Sequence, residues 1–274
     1  MIFQKIKNPK LAEAVIKQIE DLILQGVLRP GDQLPAEREL AQHLDVSRPS
    51  LRDAIKELEK RGLLTTLRGG GTFIGNVIGS VFAKEFVYLF RSNDRAIADY
   101  VEFRKDIDLI AAKRAAERAT DADKEILSRI HEALCLAVEQ NDSDKVVRYD
   151  TEFHIAVVAA AHNIVLMHTM RSILEQMVPI FYQRLPREPE KTMINDIVTQ
   201  HGEILQAIVD HDPEAAQRAV LVHGEFIEAT LRNADYVYWR EDTAQKRLEM
   251  LSRGKGRGQG HQSGANAKQA GGGK

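Results

Sequence analysis

Apolar residues recur every three to four positions along most of the chain, which is the spacing of a helix with one buried face. The first such segment covers residues 10–25, and Gly26 follows it as an expected stop. Two further helices are predicted at Pro35–Leu44 and from Arg48 to about Arg61, joined by the tight turn Asp45-Val46-Ser47. The three helices should share a small core. Its apolar residues are predicted to be Leu11, Val15, Ile19, Leu22, Ile23, Leu40, Leu44, Val46, Leu51, Ile55, Leu58 and Leu63.

After the third helix, the pattern changes briefly to that of strands and then returns to that of helices. Gly62 should end the helix, and two short strands are predicted on either side of the glycine run Gly69-Gly70-Gly71. Residues 76–80 are predicted to be a linker. Beyond the linker the periodicity is helical throughout, which predicts an all-helical bundle. Its helices are expected near residues 80–92, 96–118, 121–140, 143–161, 164–184, 191–210 and 213–233.

These elements predict a mostly α protein with two domains, for which 274 residues provide enough chain. A winged helix-turn-helix is predicted at 1–75, and an all-α helical bundle at 81–235. From about Ser252 the composition changes to Gly, Lys, Arg, Gln and Ser, which cannot form a hydrophobic core. Residues 252–274 are therefore predicted to be a disordered basic tail.

Composition narrows the range of functions only slightly. The net charge is −2, and residues 1–75 contain 12 Lys and Arg against 10 Asp and Glu, so overall charge does not indicate a nucleic-acid partner. The single cysteine, Cys135, cannot form an internal disulfide, which fits a reducing cytoplasm. No apolar run reaches the length of a membrane span and no signal peptide begins the chain, so we predict a cytoplasmic protein without a membrane partner.

The succession of helix, tight turn, helix and glycine-rich wing indicates sequence-specific binding to double-stranded DNA. In this motif the N-terminal end of the second helix reaches base edges in the major groove. Arg48 and Arg52 lie four positions apart on one helix face, and arginine can bind guanine O6 and N7 with two hydrogen bonds. Ser47 is predicted to cap this helix, and the wing glycines allow positive φ and close approach to DNA. The residues predicted to contact DNA are Arg38, Ser47, Arg48, Ser50, Arg52, Arg68, Gly69, Gly70, Gly71 and Thr72.

Each of these residues has a simpler interpretation when it is taken alone. An arginine on a helix surface is usually a solvated charge, and a glycine run is often only a turn. Their order and spacing together favour the DNA-binding interpretation over the simpler ones.

A second group of residues predicts a metal site in the bundle. Asp150 and His154 are four positions apart and share a helix face, while His201 and His223 lie on the last two helices. If these two helices form a hairpin about Asp212, both histidines are the same number of residues from the turn and stand side by side. One carboxylate and three imidazoles suit zinc, nickel, copper or iron better than calcium or magnesium. The alternative is that these histidines are hydrogen-bonded core residues.

Arg104 and Asp108 form another pair four positions apart, on an apolar helix. A cation that is partly buried among apolar residues needs a specific partner. Arg104 could bind the carboxylate of a small ligand with its planar guanidinium, or the pair could be an internal salt bridge.

The residues LILQGVLRPGDQLPAERELAQHLDVSRPSLRDAIKELEKRGLL, followed by RGGGTFI, resemble the GntR family of bacterial transcription regulators, in its FadR subfamily. The C-terminal part resembles the all-helical FCD ligand-binding domain of that subfamily. This resemblance covers nearly the whole chain up to about residue 235, and is carried by the Arg104 helix, DTEFH at 150–154, Asn163, His201 and His223. It implies a homodimer that binds a short palindromic operator and leaves it when a small organic acid binds the FCD domain.

The resemblance also implies roles for individual residues. Asp150, His154, His201 and His223 match the family's metal ligands, which supports a divalent transition metal, with zinc favoured and nickel or another metal as alternatives. Position 108 is Asp where the family often has Glu, so a role for Asp108 in binding the effector is less well supported.

We therefore predict a transcription regulator, in the role of a repressor, that is released from a palindromic operator by a small carboxylate and is not an enzyme. Pyruvate, lactate and other keto, hydroxy or sugar acids all remain candidates for the effector. Two alternatives stay open. One is a metal-dependent, hydrolase-like enzyme, because a metal with an open position can activate water. The other is a constitutive architectural DNA-binding protein, in which the four metal-site residues would be unrelated core residues.

Overall fold

The structure is a computed structural model that describes residues 9–67, 69–75, 82–184, 191–231 and 243–251. The predicted linker at 76–80, the predicted tail at 252–274 and the predicted DNA contact Arg68 lie outside these residues. The chain divides into two units, Met1–Thr230 and Leu231–Lys274, and a helical segment at 243–251 belongs to the second. The named elements are α1 Pro9–Leu24, α2 Glu37–His43, α3 Arg48–Lys60, β1 Leu64–Leu67, β2 Gly71–Ile74, α4 Lys84–Arg91, α5 Asp94–Arg118, α6 Asp121–Glu139, α7 Ser143–Ala160, α8 Ile164–Arg184, α9 Lys191–Val209 and α10 Pro213–Leu231.

The helix-turn-helix forms where the sequence predicts it, with one correction. Ser47 is the N-cap of α3, and its hydroxyl accepts a hydrogen bond from the backbone N–H of Ser50 at 3.2 Å, as expected. However, α2 begins at Glu37 and not at Pro35. The backbone N–H of Leu34 donates to the carbonyl of Thr72 at 2.8 Å, and this contact keeps the segment before α2 extended beside the wing.

The first three helices and the wing share one hydrophobic core. Leu51 and Leu58 of α3 lie at its centre and are fully buried. Of the core residues predicted from the sequence, Leu11 is wrong, because it is 41% exposed on the outer side of α1. The wing is an antiparallel pair in which Leu64 faces Ile74 and Leu67 faces Gly71, and both Leu64 and Ile74 reach into the core. The wing is thereby fixed to α3.

The helices after the wing form a second core that shares no residue with the first. Helix α7 lies inside this bundle, where it packs against α5, α6 and α8, while α9 packs against α5 and α6. Phe153 of α7 is fully buried, in a cluster otherwise rich in small alanines of α5. Because alanine side chains allow close helix packing, polar residues on α5 and α7 come near one another in the interior.

Helices α9 and α10 form the predicted hairpin. The turn between them contains His211, whose φ is 54°, and Asp212, whose side chain accepts a hydrogen bond from the backbone N–H of Ala215 at 2.8 Å. Pro213 then begins α10, where its missing N–H costs nothing. Among the described residues, no helix is both long enough and apolar enough to cross a lipid bilayer.

Candidate functional site

Three histidines from three different helices meet in the interior of the bundle. His154 lies on α7, His201 on α9 and His223 on α10, and one ring nitrogen of each lies within 4.8 Å of those of the other two. Their ring centroids are 4.8 Å apart for His154 and His201, 4.8 Å for His201 and His223, and 5.5 Å for His154 and His223. The hairpin therefore places His201 and His223 side by side, as their equal distance from the turn predicts.

The ring nitrogens of this cluster are short of hydrogen-bond partners. Both nitrogens of His201, and Nε2 of His154, are buried and have no partner within the described part of the chain. His223 differs, because its Nδ1 lies 2.9 Å from Oε1 of Gln200. An amide oxygen only accepts, so His223 donates from Nδ1 and keeps an unprotonated Nε2. Buried polar atoms without partners cost about 1–3 kcal/mol each, and a shared metal would satisfy one nitrogen of each ring.

The charge state of the histidines also suits metal ligation. Burial lowers the pKa of His154 and of His201 well below the usual value, and lowers the pKa of His223 to about 3. The nearby Arg104 guanidinium acts in the same direction on all three. The rings are consequently neutral at pH 7, which is the form that offers a lone pair to a metal. Nitrogen-rich donors of this kind fit a transition metal.

Asp150 lies beside the histidine cluster but is not one of the three residues that form it. Its Oδ1 is 3.7 Å from Nε2 of His201. Burial raises the pKa of Asp150 to about 6, although Arg104 and a hydrogen bond from Tyr182 act in the opposite direction. The structure thus brings all four predicted ligands to one place, with Asp150 at the edge of the group.

Arg104 and Asp108 form the internal ion pair that was one of the two interpretations of the sequence. Nε of Arg104 donates to Oδ2 of Asp108 at 3.0 Å, and both side chains are only 10% exposed. Nevertheless, Nη2 of Arg104 is buried without a hydrogen-bond partner among the described residues, and so is the hydroxyl of Tyr100 one turn earlier. Burial raises the pKa of Tyr100 to about 12, so this hydroxyl keeps its proton. These two donors lie one turn apart on α5, beside the three histidines, and Tyr100 is close enough to Arg104 for the guanidinium to lower its pKa.

The space at this site is small. A cavity of about 20 Å³ is lined by residues of α5 and α10 that include Arg104, Asp108 and His223, and it is wide enough for about one water molecule. Lys105 of α5 forms an ion pair with Glu228 of α10 at 2.9 Å on the solvent side of the same cavity wall. Within the described residues, this cavity is too small for a ligand with several heavy atoms.

Several residues that shape the site were not predicted from the sequence. The ring of Phe153 stacks on His201, with centroids 4.6 Å apart and planes at 16°. Gln200 fixes the tautomer of His223. This contact could have been predicted, because Gln200 precedes His201, which lies opposite His223 in the hairpin. Tyr100, at four positions before Arg104, could also have been found from helix spacing. The contact of Tyr182 with Asp150 had no sequence signal, because α8 is a separate helix.

Four other histidines of the described residues lie outside the cluster. His131 and His168 contact backbone carbonyls of Val198 and Leu24, and His211 contacts that of Ala116. His162, considered for the metal site because it is close in sequence, lies instead 2.9 Å from Asp123 and is partly exposed.

The predicted DNA contacts occupy the exposed end of the helix-turn-helix. Arg38 and Arg48 are exposed, while Nε of Arg52 donates to Oε2 of Glu37 at 2.7 Å. That ion pair connects α3 to α2 and leaves Arg48 at the start of the recognition helix.

The wing residues predicted to contact DNA form a glycine turn. Gly69 and Gly70 are exposed, and Thr72 contacts Thr66 through their hydroxyls at 2.9 Å. Gly71 has a φ of +99°, a backbone conformation that residues with a side chain rarely adopt, so glycine is favoured there.

Comparisons with known proteins agree with this two-part arrangement. The model for bacterial regulatory proteins of the gntR family matches residues 11–74, and the model for the FCD domain matches residues 99–226. The putative L-lactate dehydrogenase operon regulatory protein of Escherichia coli (strain K12) is 34% identical over 82% of this chain and 88% of its own length. The Glc operon transcriptional activator of Escherichia coli (strain K12) is 29% identical over 84% and 92% of the two chains. The HTH-type transcriptional repressor NanR of Klebsiella aerogenes is 30% identical over 83% and 87%.

Proposed function

The chain belongs to the gntR family of bacterial regulatory proteins and carries an FCD domain, and on that premise we propose that it is a repressor released from its operator by a small carboxylate. The observation that carries the proposal is the buried histidine cluster beside Arg104, which has ring nitrogens and a guanidinium N–H without partners. Such atoms are costly in a purely structural core. Their number in one place favours a site built for a metal and an anionic ligand.

In this proposal, His154, His201 and His223 hold a divalent transition metal, which we take to be zinc, and Asp150 is the fourth protein ligand. A metal bound there would supply a Lewis-acidic position for an oxygen of the effector. The surrounding residues prepare the ligands: Gln200 holds His223 in the tautomer that presents Nε2, and Phe153 orients the ring of His201.

Arg104 and Tyr100 would bind the carboxylate of the effector. Nη2 and the Tyr100 hydroxyl are donors on adjacent turns of α5, and Asp108 holds the guanidinium in place through Nε. Because the cavity holds about one water molecule, binding must move α5 and α10 apart. An effector that fits only the opened bundle shifts the protein toward that state by its difference in affinity.

Operator binding is assigned to the winged helix-turn-helix, proposed to span residues 1–75, and dimerisation to the helical domain, proposed at 81–235. Two copies related by a two-fold axis would place two recognition helices in successive major grooves, which requires a palindromic operator. Arg48 would read a base, Arg38 and Ser47 would contact phosphate or base edges, and the glycine wing would approach the minor groove. The effector would release the dimer by changing the spacing of the two helices.

The first test measures operator binding by metal-loaded protein. Palindromes are selected from a random duplex pool, and affinity is then measured by fluorescence anisotropy with and without L-lactate, the acid named in the operon of one relative. Other hydroxy, keto and sugar acids are screened in parallel by thermal shift. We expect selection of a palindrome and weaker binding when one acid is present. Lack of any preference over random duplex at physiological ionic strength would refute the operator proposal.

The metal and the direction of regulation have separate tests. Elemental analysis of the purified protein should give close to one transition metal per chain, and little in His201→Ala.

The relatives include both an activator and a repressor, so the direction of regulation is tested with a reporter gene behind the selected operator. Repression that is relieved by the acid supports the proposal, whereas activation would show that the protein is an activator.

The enzyme alternative is tested by incubating the metal-loaded protein with candidate acids and esters. These compounds should remain unchanged, and turnover would support the enzyme alternative.

A further inference from the structure

A second cavity lies between the helix-turn-helix and α8. It shares no lining residue with the small cavity beside His223. Its volume is about 600 Å³, within the range of sites that bind metabolites. One wall is the loop between α1 and α2 with the base of the wing, and the other is α8. Its lining includes His168, two arginines and two carboxylates, namely Arg29, Arg171, Asp32 and Glu175.

Arg171 of α8 is a buried lining residue of this cavity whose guanidinium is only weakly bound by the surrounding protein. The residue is only 9% exposed, and Nε is buried without a hydrogen-bond partner among the described residues. Its Nη2 has the sulfur of Met167 as a contact, at 3.7 Å, which is a weak acceptor. Burial lowers the pKa of Arg171, and Arg29 across the cavity acts in the same direction. Glu175, Asp32 and Glu152 act in the opposite direction, but none of them forms an ion pair with Arg171 among the described residues. A buried guanidinium without a direct ionic partner is destabilising, so a fold that keeps it has a use for it.

The junction around Arg171 is closely fitted. Nε2 of His168 donates to the carbonyl of Leu24 at 2.8 Å and so connects α8 to the end of α1. The donation leaves Nδ1 of His168 as an acceptor, and it is buried without a partner within the described ranges. Gly26 has a φ of +70°, which favours glycine, and Met167 of α8 lies directly beside it. The two walls of the cavity are thus held in contact.

We propose that this junction cavity binds a small anionic metabolite, through a phosphate or carboxylate group placed between Arg171 and Arg29. An oxyanion there would give Arg171 a direct, charge-assisted hydrogen-bond partner. Asp32 and Glu175 on the same lining favour a ligand that also carries hydroxyl or amino donors. Because the two arginines belong to opposite walls, the bound anion would fasten the helix-turn-helix to α8. The site would therefore be a second input to operator binding, separate from the bundle site.

The test uses inorganic phosphate as the probe, with acetate in a parallel titration, on the full-length chain at constant ionic strength. Unfolding temperature and isothermal titration calorimetry are both measured. We expect saturable binding of phosphate, acetate or both, with an increase in unfolding temperature. Arg171→Met should weaken that binding about ten- to hundredfold, since a charge-assisted hydrogen bond is lost. Arg171→Met should also be at least as stable as the wild type without ligand, because the unpaired buried charge is gone.

Three further variants make the test specific. Arg171→Lys keeps the charge without the planar fork and should retain weakened binding, which also guards against a folding defect in Arg171→Met. Arg129→Gln removes an exposed arginine of α6 and should bind like the wild type. Arg29→Met removes the guanidinium on the opposite wall of the cavity and should also weaken the binding. Lack of saturable binding by either anion, or equal binding by wild type and both Arg171 variants, would overturn the proposal.

Discussion

A histidine that is fully buried with neither ring nitrogen hydrogen-bonded is unfavourable, because a neutral imidazole carries one donor and one acceptor. His201 is such a residue, and the two imidazoles nearest to it come from separate helices. Stacking on Phe153 contributes only dispersion energy and does not satisfy either nitrogen. A partner shared by the three rings, such as the metal proposed above, would satisfy these nitrogens, and the neighbours of the cluster would then be important for metal affinity.

Gln200 is the neighbour whose role is most directly testable. We predict that Gln200→Ala weakens metal binding about ten- to hundredfold, because His223 loses the acceptor that fixes its tautomer. Affinity is measured by competition with a chromogenic chelator. Gln206→Ala is the matched control, since Gln206 is an exposed residue of the same helix and its side chain donates to Asp210. Equal metal affinity in both variants would show that Gln200 does not support the ligand.

Arg104 requires a variant that does not leave Asp108 buried as an unpaired charge, which would be strongly destabilising. The double substitution Arg104→Met and Asp108→Asn removes both charges together. We predict that operator affinity stays within about twofold of the wild type, while the effector loses its ability to release DNA. Anisotropy titrations with operator and effector measure both properties. A double variant that still responds to the effector would assign the ion pair to structure alone.

At the scale of helices and strands, local sequence signals predicted most boundaries to within a few residues. Helix α8 was predicted at 164–184 and observed at Ile164–Arg184, because Asn163 at its start is a local signal. The start of α2 was wrong, since it depends on the contact of Leu34 with Thr72, far away in sequence. In the candidate site, too, local spacing was predictable and contacts between separate helices were not. The hairpin placed His201 beside His223, whereas no periodicity could bring Tyr182 of α8 to Asp150.

The recognition helix gives a prediction that separates base reading from structure. Arg48 is exposed at the start of α3, whereas Arg52 is in an ion pair with Glu37. We predict that Arg48→Ala reduces the preference for operator over random duplex by about 1–3 kcal/mol, because a base contact is lost. Arg61→Ala removes the same charge at the other end of α3, where Arg61 contacts Glu57 and Glu20, and should leave the preference unchanged. The comparison is made by anisotropy at fixed salt, because phosphate contacts alone change affinity without discrimination. Equal losses in both variants would place the reading residues elsewhere.

At the scale of the molecule, the helix-turn-helix and the bundle have separate cores, so an effector in one can act on DNA bound by the other only through a change of state. The closed cavity beside His223 suggests what that change is, since the effector requires α5 and α10 to separate. Under the proposed mechanism, the operator and the effector each prefer a different state of the proposed dimer. Thermodynamic linkage makes this preference reciprocal.

We therefore predict that a saturating operator duplex weakens effector binding by the same factor by which a saturating effector weakens operator binding. For regulators of this kind the expected coupling is about 1–3 kcal/mol, or roughly five- to 150-fold. Calorimetry of the effector with and without operator gives one factor, and anisotropy of the operator with and without effector gives the other. A scrambled duplex, which should leave effector affinity unchanged, is the control. If the operator has no effect on effector affinity while the effector still displaces DNA, the displacement is competition at the DNA-binding surface, and the bundle is not the switch.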